Sequence, residues 1–243
     1  MYPGFYAKVR PVRAGNRPEE RETAAMKAQE QFDIRIDIVS DVVCPWCIVG
    51  FLQLNEALEE LKMRAAIRWH PFELNPAMPP EGENLRDHIM AKYGISEAQS
   101  SAARARLVSL GEALGFRFAY GDNTRMVNTF KAHQLLDWAE QHYLQHPLKL
   151  ALFKAYFSDQ RDVSDNDVLV EVAASVGLDA SEAREMLDSG ALAETTRTKE
   201  HFWTSRGISG VPAIIFAEKY LTTGAQGVDG YRRMLERCRA EAA

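Results

Sequence analysis

The chain has 243 residues, 46% of them hydrophobic, enough for one large domain or for a domain carrying a sizeable insertion. Charged residues make up 26% and the formal net charge is -5, so no basic footprint marks a nucleic-acid partner. No apolar run is long enough to span a bilayer, and three cysteines (Cys44, Cys47 and Cys238) are too few for a disulfide-stapled secreted scaffold.

Residues 1–31 are rich in Arg, Glu and Pro and show no sustained periodicity. They read as a weakly ordered tail, with a short helix near Glu19–Gln31. The tail has no continuous apolar h-region, which predicts a cytoplasmic protein rather than an exported one. Ile34–Val39 alternates and is rich in Ile and Val, the pattern of a strand. From Pro45 the apolar positions Val49, Leu52, Leu54, Leu58 and Leu61 recur at helical spacing, so a helix is expected to about Met63. Pro45 suits its first turn, where the missing N–H is not needed. Ala66–His70 reads as a second strand and completes a βαβ unit.

The middle of the chain reads as helix throughout. Helices are expected over Asn84–Tyr93, Ser96–Leu114, Thr124–Leu144 and Pro147–Ser158. A further helix is capped by Ser164 and ends at Gly177, another starts at Asp179, and the last runs over Ala191–Arg206. No strand is expected within 96–200. Ala213–Phe216 and Lys219–Thr223 then read as strands and Val228–Arg239 as a final helix. The organisation predicted is an α/β thioredoxin-like fold with a large all-helical insertion. Residues 32–78 and 207–243 form the thioredoxin-like part and residues 79–206 the inserted domain.

The chemistry concentrates at Cys44-Pro45-Trp46-Cys47. Thiol–disulfide exchange needs one thiolate and a second thiol close enough to resolve the mixed disulfide. A C-x-x-C pair at a helix start supplies both. The first sulfur meets unpaired N–H groups and the helix dipole, which favour negative charge, and is expected to reach solvent. The second lies one turn inside, where Ile48, Val49 and Phe51 oppose ionisation. A zinc half-site is the competing reading, but Cys238 and the scattered histidines offer no second pair of ligands, so no metal is expected. Gly210-Val211-Pro212 precedes the strand at Ala213. A trans proline opening a strand is one reading. Beside a C-x-x-C pair a cis bond is favoured, which would turn the Val211 backbone toward an extended peptide.

Weaker signals belong to ordinary structure. Asp41 reads mainly as a turn or cap residue, although a proton carrier is the other reading. His133 reads as a satisfied helix residue, and Cys238, Trp69, Phe72 and Leu74 as core. Trp46 either packs against substrate or shields Cys47.

Together these stretches resemble the DsbA-type oxidoreductases, in particular the FrnE-like branch. The resemblance is carried by Ser40–Cys47, by Trp69–Pro76, by Gly210-Val211-Pro212 and by Gly224-Ala225-Gln226. It implies a thioredoxin fold with inserted helices, Cys44 as nucleophile, Cys47 as resolving thiol and Pro212 as a cis-proline beside them. Pro45, Trp46, Val211 and Pro212 would bind substrate. The family includes glutathione-dependent 2-hydroxychromene-2-carboxylate isomerases, which typically carry Ser at the position of Cys44 and lack the second cysteine. Retention of both thiols favours redox work on protein or small-molecule disulfides. No cofactor is expected beyond the cysteine pair, with glutathione as an alternative co-substrate. No nucleic acid or membrane is expected as partner, and the chain is expected to be a monomer or homodimer. A glutathione-dependent isomerase and a chaperone-like peptide binder are the alternative functions.

Overall fold

The computed structural model describes residues 32–242; the helix expected near Glu19–Gln31 lies outside them. A four-stranded mixed sheet has the order β2-β1-β5-β6. β1 (Ile34–Ser40) runs parallel to β2 (Ala65–Pro71) and antiparallel to β5 (Ala213–Phe216), which pairs with β6 (Tyr220–Thr223). Every residue of β1 except Arg35 is buried, as its place inside the sheet requires. Helix α1 (Pro45–Glu60) connects β1 to β2 and packs against the last helix of the chain (Val228–Ala242).

Between β2 and β5 run seven helices: α2 (Leu85–Tyr93), α3 (Glu97–Ala113), α4 (Phe130–Gln141), α5 (Gln145–Phe153), α6 (Asn166–Ser175), α7 (Ala180–Ser189) and α8 (Ala193–Thr204). A π-helical turn at Lys154–Ser158 follows α5, and Val228–Ala242 is α9. The insertion docks on the sheet through α5 and α8, both of which pack on β2. β2 is an edge strand, and its open backbone is closed by a side chain. The Trp69 N–H donates to Gln145 Oε1 at 2.9 Å, and Gln145 Nε2 donates back to the Trp69 carbonyl at 2.9 Å. One apolar core is shared by Ile36 and Ile38 of β1 and by Leu148, Leu152 and Phe153 of α5.

The all-helical expectation for the insertion needs correction. Arg125–Met126 is a short strand, β4, paired antiparallel with β3 (Glu83–Asn84). It joins no strand of the main sheet. Gly82 permits the approach: at its φ of 63° a Cβ would lie 2.4 Å from the Met126 carbonyl oxygen. Thr124–Leu144 is therefore not one helix. Asn128 accepts from the Phe130 N–H and starts α4 at Phe130, and Tyr143, at φ 59°, separates α4 from α5. Asp165, not Ser164, caps α6, accepting from the Asp167 and Val168 N–H groups. The last insertion helix starts at Ala193 rather than Ala191.

Candidate active site

Cys44 is the N-cap of α1, with an extended backbone at φ -89° and ψ 111°, and Pro45 opens the helix behind it. The Cys44 N–H donates to the Asp41 carbonyl at 3.2 Å, which turns the chain from β1 into the helix. No acidic side chain stands in the first turn to oppose a negative sulfur. Across the site the Val211–Pro212 bond is cis, and Cys44 Sγ donates to the Val211 carbonyl at 3.7 Å. The loop before β5 and the start of α1 thus meet at one sulfur. They meet closely because Gly50 has no side chain. A Cβ there would lie 3.3 Å from Pro212 Cγ and 3.2 Å from the Tyr231 hydroxyl. The Gly224 N–H then fixes the loop from below, donating to the Pro212 carbonyl at 2.8 Å.

The exposure expected for Cys44 is not found. It is only 3% exposed, packed in the main apolar core with its Sγ against the Val211 carbonyl. Trp46, in contrast, is 40% exposed, and Pro45 and Val211 are half-buried. Cys47 is fully buried and its thiol is free, as is that of Cys44. Burial drives the Cys47 thiol well above its usual range, and the adjacent Cys44 acts in the same direction while Lys149 opposes it.

Beneath the pair lies a charged cluster that the sequence pattern does not announce. Asp41 is 1% exposed, and its Oδ2 accepts from the Leu74 N–H at 2.8 Å. Its Oδ1 lies 3.3 Å from His133 Nε2, an ion-pair distance without hydrogen-bond alignment. Burial opposes charge on Asp41 most strongly, but His133, the Leu74 N–H and Lys149 outweigh it and hold the carboxyl below the usual range. Asp41 is thus more than a turn residue, and His133, 1% exposed, faces it. Lys149 is wholly buried. Its ammonium lies 5.4 Å from the Trp69 ring centroid and 5.0 Å from that of Phe153. Burial lowers it to about 8, against the Cys47, Asp41 and Cys44 charges, which hold it up. The available signal is one lysine inside the apolar run Leu148-Lys149-Leu150-Ala151-Leu152-Phe153.

The remaining candidates lie elsewhere. Cys238 is buried on α9 beside Ile34 and Met63, where burial raises its thiol. Trp69 is core, and its indole N–H donates to His146 Nδ1 at 3.0 Å. Among the described residues no group of three or more His, Cys, Asp or Glu side chains could hold a metal ion. Among them, too, no helix is long and apolar enough to cross a membrane.

Comparison with known proteins agrees with this architecture. A probable DsbA oxidoreductase from Streptomyces coelicolor is 30% identical in sequence. The similarity covers 86% of this chain and 91% of that one, with a TM-score of 0.80. A 2-hydroxychromene-2-carboxylate isomerase shares the fold at 16% identity and a TM-score of 0.65, covering 86% of this chain and 98% of its own. The cytosolic disulfide reductase DsbM of Pseudomonas aeruginosa, solved with GSH, shares it at 16% identity and a TM-score of 0.55, covering 84% and 98%. Residues 35–236 match the DSBA-like thioredoxin domain, a span that holds all of the sheet but Ile34, both thiols and the cis-proline loop. The chain belongs to the family of the DSBA-like thioredoxin domain.

Proposed function

We propose that Cys44 and Cys47 form the redox centre of a thiol–disulfide oxidoreductase. The observation that carries this reading is the unequal placing of two free thiols one helical turn apart. Both are buried, but one caps a helix against the Val211 carbonyl, and the other lies a turn inside that helix and is held neutral. The Cys44 thiolate attacks a substrate disulfide, that S–S bond breaks, and one substrate sulfur leaves as a thiolate. Cys47 then loses its proton and attacks Cys44 Sγ. The second substrate sulfur leaves, and two electrons have passed from the pair to the substrate. The reverse sequence oxidises a substrate dithiol.

Substrate would lie across Trp46, Pro45, Val211 and Pro212. Trp46 offers the exposed apolar surface, and displacing the Cys44 S–H from the Val211 carbonyl frees a backbone acceptor for an extended peptide. Protein disulfides and small disulfides, glutathione among them, are the substrate class. No cysteine braces the fold, which suits work in a reducing compartment such as the cytoplasm.

The test is disulfide reduction by the wild-type protein and by Cys47→Ser, with glutathione-dependent isomerisation of 2-hydroxychromene-2-carboxylate measured in parallel. Turnover lost in Cys47→Ser supports the redox centre. Isomerase activity that survives Cys47→Ser, without disulfide turnover in the wild type, overturns it in favour of the isomerase. Binding of unfolded chains that survives loss of both thiols, with no turnover at all, overturns it in favour of a peptide binder.

A further inference from the structure

Lys149 has no ordinary structural explanation. An ammonium with no exposed surface is among the costliest groups to bury, and it normally carries a carboxylate or carbonyl partner. Lys149 Nζ has no hydrogen-bond partner and no ion-pair contact among the described residues. Its near neighbours are the faces of Trp69 and Phe153, which give partial compensation through their ring quadrupoles. A leucine or methionine would serve the packing of α5 better. The charged groups that surround it belong to the site already described.

Those groups come from the start of α1, the loop before it, α4, β2 and α5 itself. The start of α1 contributes Cys47 and Cys44, and the preceding loop contributes Asp41. His133 and Asp137 of α4 and His70 of β2 border the same small void as Lys149. Two of these three are engaged elsewhere: Asp137 with Thr196 and Lys199, and His70 with Asp37. His133 faces Asp41. His146, on α5 itself, is brought down to about 4 by burial and stays neutral near pH 7. Cys47 is the group whose charge Lys149 feels most, and Cys47 is the thiol that burial holds neutral.

We propose that Lys149 is a positioning residue for the resolving step, its buried ammonium stabilising the Cys47 thiolate that attacks the mixed disulfide on Cys44. The proposal rests on the redox reading above. The helical insertion thereby supplies a positive charge to the pair. During resolution Cys47 gives up its proton to solvent, the new S–S bond forms between Cys47 and Cys44 as the mixed disulfide breaks, and the substrate sulfur leaves as a thiolate. Lys149 changes neither bonds nor oxidation state. It lowers the cost of negative charge on Cys47 while that charge exists.

A pH signature separates this role from a packing role. Below about pH 8 the ammonium is present, and the population of Cys47 thiolate beside it rises tenfold per pH unit. Above about 8 Lys149 itself loses its proton, so that population levels off. Without the ammonium no such plateau occurs until Cys47 titrates.

The experiment measures the single-turnover rate at which a glutathione mixed disulfide, preformed on Cys44 of the full chain, is resolved between about pH 6 and pH 10. The wild-type rate should level off near pH 8. In Lys149→Met the Cys47 titration should move up by about one unit. That means about tenfold less thiolate at neutral pH, each about threefold more nucleophilic, and so about threefold slower resolution. The gap between the two proteins should close above pH 8, and Lys149→Arg should restore the neutral-pH rate. A folded Lys149→Met protein with an unchanged profile overturns the proposal. If that variant does not fold, a wild-type rate that climbs tenfold per unit straight through pH 8 overturns it equally. If no mixed disulfide forms on Cys44, the redox reading itself fails. The isotope-labelled Cys47 Cβ resonance then still decides whether Lys149→Met or Lys149→Arg shifts the thiol's titration. A shift in the methionine variant that the arginine variant lacks supports the electrostatic role, and equal titration in both ends it.

Discussion

Cys44, Cys47 and Pro212 come from the sheet half of the molecule, whereas His133, His146 and Lys149 come from the helical insertion. The sheet half places sulfur atoms by backbone geometry: a strand end, a helix start and a cis peptide bond. The insertion places charge and aromatic surface by side-chain packing, with Trp69 of the sheet half stacked on His146 and Phe51 meeting it edge-on. On the proposed mechanism the sheet half sets which sulfur attacks, and the insertion sets how readily the other can follow. Each half can be perturbed separately.

The largest effect should come from the insertion's core. Phe153 is fully buried, meets the Trp69 ring edge-on and lies beneath Lys149. Phe153→Ala should cost about 3–5 kcal/mol in urea unfolding, in a single transition because the core is shared between the halves. Two separate transitions, with the sheet half unaffected, would break the comparison by showing that the halves fold independently.

Acid should act next, and through the insertion first. The unfolded chain protonates His146 near its usual 6.5, but the folded chain does so only near 4. The unfolded state therefore binds more protons in that window, and stability falls as pH drops from about 6.5 to 4, by about 3 kcal/mol. His146→Gln should flatten this window in urea midpoints taken across the range. Asp41 and Asp37, whose carboxyls are held low, add their losses only below the ordinary carboxylate range. A wild-type protein with flat stability between pH 6.5 and 4 would contradict the burial of His146 against Trp69.

The smallest of these effects lies in the sheet half. Gly50→Ala puts a Cβ against Pro212 and the Tyr231 hydroxyl and should destabilise by about 1–3 kcal/mol. It should also slow attack by Cys44 while leaving the Lys149-dependent resolution profile in place. An equal slowing of both steps would show that the two halves do not act separately.

The legibility of the two halves in the sequence follows the same division. The alternation of Ile34–Val39, the apolar run Ala213–Phe216 and the C-x-x-C pair at a strand–helix junction are local patterns, and the sheet forms where they predict. The insertion's helices are also where periodicity puts them, with ends displaced by capping chemistry at Asp165 and Asn128. The β3–β4 ladder was hidden because two residues carry no period and their pairing spans a long loop. Lys149, Asp41 and His133 were hidden for a deeper reason. Asp41 and His133 look ordinary in their own segments, Lys149 stands out only as a lysine in an apolar run, and tertiary packing alone brings the three together. The burial of Cys44 depends likewise on packing with residues far away in sequence, the Val211 carbonyl among them.

The central claim is that Cys44 attacks and Cys47 resolves. It is tested most directly by intact-protein mass spectrometry after mixing each single variant with a disulfide-bonded peptide near pH 7. Cys47→Ser should carry one peptide, attached at Cys44 and stable until reductant is added. Cys44→Ser should carry none, because its remaining thiol in the pair lies inside the helix and is held neutral. A peptide adduct on Cys47 in the Cys44→Ser protein, or no adduct on Cys44 in the Cys47→Ser protein, would contradict this account.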